Sequence, residues 1–228
     1  KYLGISERAH PTMDNARTAT WVHWLHQGLQ LNQSYYGAGV IVGIIDVGFD
    51  YTHPNFYDGS GANNYRIKRV WEQSSVLGLP PIGFSYGREL VGKTASLNAQ
   101  SDNINVSHGS HVAGIAAGAG GGVNTTHVGV APQADLVLVS TNLSNAGISQ
   151  GIEYILNHAS SVGKPCVINI SIGGHYGPHD GTSSFDQFCN NAVGPGKLLV
   201  GSAGNGGGRK IFLGKTYTNT DTIMYTLF

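Results

Sequence analysis

Charge is the scarcest property of this sequence. Asp, Glu, Lys and Arg make up 11% of 228 residues, and the two signs balance at 13 each. No basic stripe supplies the electrostatic footprint of a nucleic-acid binder, and no polybasic run suggests an anionic membrane. No apolar stretch nears the roughly 18 residues that a membrane helix needs. Cysteine is nearly absent as well. Cys166 and Cys189 sit in an apolar strand pattern and a helix pattern, where buried free thiols account for them. A disulfide is allowed but not required, and the count leaves the compartment open. No charged-then-apolar leader opens the chain at Lys1, so a secretory signal or pro-segment is expected to have been trimmed or never present. Glycine, by contrast, is abundant at 34 residues. Low charge with many glycines favours a tightly packed fold with many close turns over a disordered chain.

The organisation is legible from periodicity. A helix is expected from Asp14 to about residue 27, closed by Gly28. The run over 40–45 is continuous, apolar and β-branched, the pattern of a strand buried on both faces of a parallel sheet. Residues 57–105 are polar and weakly periodic; surface loops are expected, with a short strand around 67–71. A small-residue helix should run from His108 to about 119 and end at Gly120-Gly121-Gly122. An alternation follows: strand 135–140, helix 149–160, strand 166–172, helix 184–193, strand 197–203. This spacing predicts a doubly wound parallel sheet with helices on both faces. Residues 210–228 read as β-rich. There is no internal repeat and no linker, so one domain is expected over 1–228. In such sheets ligands bind beyond the carboxyl ends of the strands. Asp46, the segment Ser171-Ile172-Gly173-Gly174 and Asn205 each follow one of these strands.

Several blocks occur in a telling order. Asp46-Val47-Gly48 is followed by Asp50-Tyr51-Thr52-His53-Pro54. Then come His108-Gly109-Ser110-His111-Val112-Ala113-Gly114, Gly129-Val130-Ala131-Pro132, Ser171-Ile172-Gly173-Gly174 and Ala203-Gly204-Asn205. Together they resemble the motifs of the subtilisin-like serine proteases, over about residues 21 to 207. Val47 departs from the hydroxyl residue usual after the Asp, and Ser110 replaces a Thr. The resemblance implies an incomplete subtilisin-like α/β fold and a serine endopeptidase acting on peptides or proteins. It implies export too, and a substrate-binding role for Ser171, Ile172, Gly173 and Gly174, whose backbone would take the peptide as an added strand. The nucleophile block expected after the asparagine is missing from these residues. It is expected downstream of Phe228, with the fragment inactive alone and prone to self-association through uncovered sheet surface.

The residue types suit that chemistry independently. Serine-type hydrolysis needs a base, a carboxylate that orients the base, and a donor for the oxyanion. An imidazole titrates near neutrality, which fits His108 as base. A carboxylate fixed at a buried strand end fits Asp46, and an amide between two glycines fits Asn205. Other readings compete. Asp46 could be a phosphoacceptor or ribose-binding acid. His108 and His111 could pair on a metal at i, i+3, but no Glu follows the first His and no His stands at i+4. The tract 114–122 lacks the Gly-Lys-Ser/Thr ending of a phosphate loop. His53 and His127 read as structural, His111 as a packing residue, and His175 and His179 as rim contacts. Gly181-Thr182-Ser183 copies three letters of the nucleophile block but precedes Asn205, so Ser183 reads as a helix cap. Calcium is frequent in the family, but Asp58, Asp102 and Asp180 are scattered, and no metal or other cofactor is assigned. The runner-up function is a protease-like binding or regulatory protein without a nucleophile.

Overall fold

Period-two alternation builds the centre of the molecule. In a computed structural model, which describes residues 13–58, 64–122, 127–174 and 180–206, strand β1 (Ile41–Asp46) is buried along its whole length. Val42 and Ile44 point to one face, where they join Leu136 and Leu138 of β4 (Asp135–Ser140). Ile41 and Ile45 point to the other, with Val137, Val139, Ile168 and Ile170. Only a sheet covered on both faces needs apolar residues at consecutive positions.

The sheet has six strands in the order β3-β2-β4-β1-β5-β6. β2 (Ile67–Glu72), β4, β1, β5 (Cys166–Ile170) and β6 (Lys197–Gly201) run parallel to one another. β3 (Arg88–Val91) runs antiparallel at one edge. Helix α4 (His108–Ala117) packs Ala113 and Ala117 on the Val42 face. Helix α5 (Asn145–Ser161) packs Ile152 and Ile155 on the Ile41 face, joined by α6 (Ser184–Ala192). The doubly wound parallel sheet with helices on both faces is therefore present.

Three departures from expectation have local causes. The helix expected over 14–27 is two helices, α1 (Met13–Ala19) and α2 (Val22–Gln27). Thr20 Oγ1 donates back to the Ala16 carbonyl at 2.7 Å, and Trp21 turns left-handed at φ 62°. Asp14 thus lies inside α1, not at its cap. Gly28 does close α2, at φ 66°. The polar tract over 57–105 holds the strand expected at 67–71 as β2, and also a second strand, β3, and helix α3 (Gly92–Ala99), which were not expected. Charge pairing hides β3: Arg88 donates to Glu72 at 2.6 Å and Arg69 to Glu89 at 2.7 Å across the β2–β3 ladder. The strand expected over 166–172 ends at Ile170, leaving Ser171 to Gly174 in a loop. The β-rich reading of 210–228 falls outside the described residues.

Candidate active site at the carboxyl edge of the sheet

Strand β1 ends on Asp46, whose residue is 1% exposed. The next turn needs a glycine. Gly48 has φ 81°, and a Cβ there would lie 2.6 Å from the carbonyl of Val106. That close approach brings the 103–107 loop, and with it the start of α4, against the end of β1. Gly109 plays the same part on the helix side, since a Cβ there would lie 2.7 Å from the Phe49 ring. Backbone bonds then seal the junction: Gly109 N–H donates to the Val47 carbonyl at 2.7 Å and Ser110 N–H to that of Gly48 at 3.0 Å.

His108 is the first residue of α4, and its Nδ1 lies 2.7 Å from Asp46 Oδ1. Its side chain is 54% exposed. The Val47 N–H donates to the same Oδ1 at 2.7 Å. An ionised carboxylate only accepts, so this contact assigns a proton to Nδ1 and leaves Nε2 of a neutral ring as an acceptor. Asp46 Oδ2 is buried and takes no hydrogen bond among the described residues. The structure thus joins a buried acid to an imidazole with an open face.

The other sequence-selected residues share this edge without joining the pair. Ser171 Oγ accepts from Asn169 Nδ2 at 2.9 Å. Ile172, Gly173 and Gly174 line a cleft of about 1130 Å³ between α5, α6 and the ends of β5 and β6, with Leu143, Phe185 and Cys189. Neither Ser171, Asp46, His108 nor Asn205 lines it. Asn205 is exposed, four residues beyond the end of β6, and β6 lies two strands from β1. No hydrogen bond links Asn205 to His108 among the described residues.

Ser183, on the cleft wall, is committed to the helix beside it. Its Oγ accepts from Asp186 N–H at 3.1 Å and donates to Asp186 Oδ2 at 2.6 Å. The Cys189 thiol is pushed up by burial and then by Asp186, and burial pushes Cys166 up to about 11. Neither thiol is poised as a nucleophile. His53 Nδ1 accepts from the Asn55 N–H at 3.2 Å, a turn-capping role. His111 is exposed, so it is not the packing residue expected; α4 turns its Gly109, Ala113 and Ala117 face inward instead. His175 and His179 fall outside the described residues. Among those residues, no group of three His, Cys, Asp or Glu could hold a metal ion. Sequence reasoning missed Asp102. Its only signal was a place six residues before His108 in a polar tract, and its carboxylate accepts from the backbone just after Asp46.

Comparison with known proteins places the chain in a family. PopC, a subtilisin-like protease of Myxococcus xanthus, is 30% identical over 167 residues, which is 69% of this chain and 30% of PopC. A thermostable alkaline protease of Halalkalibacterium halodurans is 28% identical over 89% of this chain and 45% of its own length. The chain thus spans less than half of either relative. The structure of the Clostridium perfringens CspB protease shares the fold with a TM-score of 0.69, at 23% identity, over 84% of this chain and 40% of that one. The model of the subtilase family, peptidase S8, matches residues 37–227, and this chain belongs to that family.

Proposed function

We propose that this chain carries the acid, the base and one oxyanion donor of a serine endopeptidase. The observation behind the proposal is the 2.7 Å bond from His108 Nδ1 to the buried Asp46 at the carboxyl edge of the sheet. Asp46 holds His108 in the Nδ1–H form and stabilises the imidazolium. Nε2 takes the proton of a serine hydroxyl as its oxygen attacks the scissile carbonyl, and later gives it to the leaving amine. The Asn205 side-chain amide donates to the oxyanion. The backbone of Ser171 to Gly174 pairs with an extended peptide, while the neighbouring cleft receives a side chain.

The attacking serine lies in sequence following Phe228. Ser183 is held in its cap, and no serine follows Ser202 in these residues. The substrate is a peptide or protein. Export belongs to the same proposal; no described helix is long and apolar enough to cross a membrane. The second reading is a protease-like binding or regulatory protein without a nucleophile.

One experiment separates the two. The complete gene product is treated with a fluorophosphonate, and the labelled peptide is mapped. The enzyme reading expects one adduct, on a serine beyond residue 228, abolished by His108→Ala. An adduct on Ser183 overturns the placement of the nucleophile. No adduct together with no peptide hydrolysis favours the binding protein.

A further inference from the structure

Asp102 belongs to none of the motifs read from the sequence, yet its carboxylate meets the segment that leaves Asp46. Oδ2 accepts from the Gly48 N–H at 2.9 Å and from Ser140 Oγ at 2.6 Å, and Oδ1 accepts from the Phe49 N–H. Ser140 is the residue of β4 that pairs with Asp46 of β1. Around this carboxylate the backbones also meet: Asp50 bridges Ser101, and the Tyr51 N–H donates to the Gln100 carbonyl at 2.7 Å. From Asp102 the chain runs through residues 103–107 directly into His108. One side chain therefore ties together the exit of the strand bearing Asp46, the neighbouring strand end, and the approach to His108.

We propose that Asp102 is a positioning residue that sets the geometry of the Asp46–His108 pair. It touches neither partner and acts through the loop between them. Only a carboxylate fits the role. Both oxygens face backbone N–H groups, which can only donate. An asparagine at 102 must turn its NH₂ toward either Gly48 or Phe49, so each orientation leaves one N–H facing another donor and without an acceptor. The loop must then shift, and with it the 2.7 Å bond to His108. The catalytic consequence rests on the serine-peptidase reading; the geometric one does not.

The test reads the tautomer of His108 in the 228-residue chain by imidazole ¹⁵N–¹H NMR, at alkaline pH where the ring is neutral. In the wild type the proton resides on Nδ1. In Asp102→Asn, with an unchanged near-ultraviolet circular dichroism spectrum, His108 shifts toward the Nε2–H form that a free imidazole prefers. Ser140→Ala, which keeps both backbone bonds to Asp102, retains the wild-type tautomer. An Asp102→Asn spectrum identical to wild type overturns the proposal. Should that variant not fold, hydrogen exchange on the wild type decides: Gly48 and Phe49 amides exchanging as freely as exposed loop amides would overturn it equally. In the complete gene product, Asp102→Asn lowers kcat on the order of 10²-fold, with KM little changed, as misplacement of a reacting group does. A wild type without peptidase activity whose His108 tautomer still depends on Asp102 would sink the enzyme reading and support the positioning role.

Discussion

A carboxylate buried as deeply as Asp46 destabilises a fold unless donors reach it. Asp46 concentrates them on one oxygen, which takes both the Val47 N–H and His108 Nδ1. That arrangement fixes which ring nitrogen holds the proton. Both residues were legible in the sequence for a physical reason. A lone acid ending an unbroken apolar strand, and a histidine opening a helix of small residues, each stand out against their surroundings. Asp102 was not legible, because an acid in a polar tract breaks no pattern; its partners are backbone N–H groups brought close only by folding. Asn205 lies between these cases: its motif was readable, but the structure leaves it exposed and unbonded to the pair. Its role is therefore best tested in the transition state. Asn205→Leu in the complete gene product is expected to lower kcat by ~10²–10³, a magnitude that comes from a subtilisin and not from this geometry, while KM moves little. A change confined to KM would make Asn205 a substrate-binding or structural residue.

At the scale of elements, strands with an apolar run were readable, β2 among them as the short strand expected at 67–71, and β3 was not. β1, β4, β5 and β6 lie within two residues of their expected bounds, because their apolar runs have no competing pattern. β3 opens on Arg88 and Glu89, which pair with Glu72 and Arg69 of β2, and only Leu90 of its four residues is buried, so no alternation marks it. α5 begins at Asn145, before the expected 149, since Ser144 caps it by accepting from the Gly147 N–H at 2.9 Å. The cap at Ser183 has a testable consequence. Ser183→Ala removes the acceptor for the Asp186 N–H and is expected to cost about 1 kcal/mol of stability, measured by urea unfolding. Fluorophosphonate labelling of the complete product should be unchanged by it. Lost labelling with unchanged stability would return Ser183 to the chemistry.

For the molecule as a whole, the two faces of the sheet are unequally filled toward β6. Leu199 packs inward beneath α6, whereas Leu198 and Val200 are 54% and 43% exposed. Both lie on the last strand of the described order, where apolar side chains and unpaired backbone favour association. The 228-residue chain is expected to self-associate with rising concentration in sedimentation velocity. Leu198→Lys combined with Val200→Lys should shift it toward monomer, and equal association in that double variant would move the contact elsewhere. The central claim is that the parallel sheet brings Asp46 and His108 together for catalysis, and its most direct measurement is peptide turnover by Asp46→Asn in the complete gene product. With the fold intact by circular dichroism, kcat is predicted to fall ~10⁴-fold, the size of that change in a Ser-His-Asp triad, because an amide cannot hold the Nδ1–H form or stabilise its charged state. Turnover within about threefold of wild type, far short of that loss, would contradict the account.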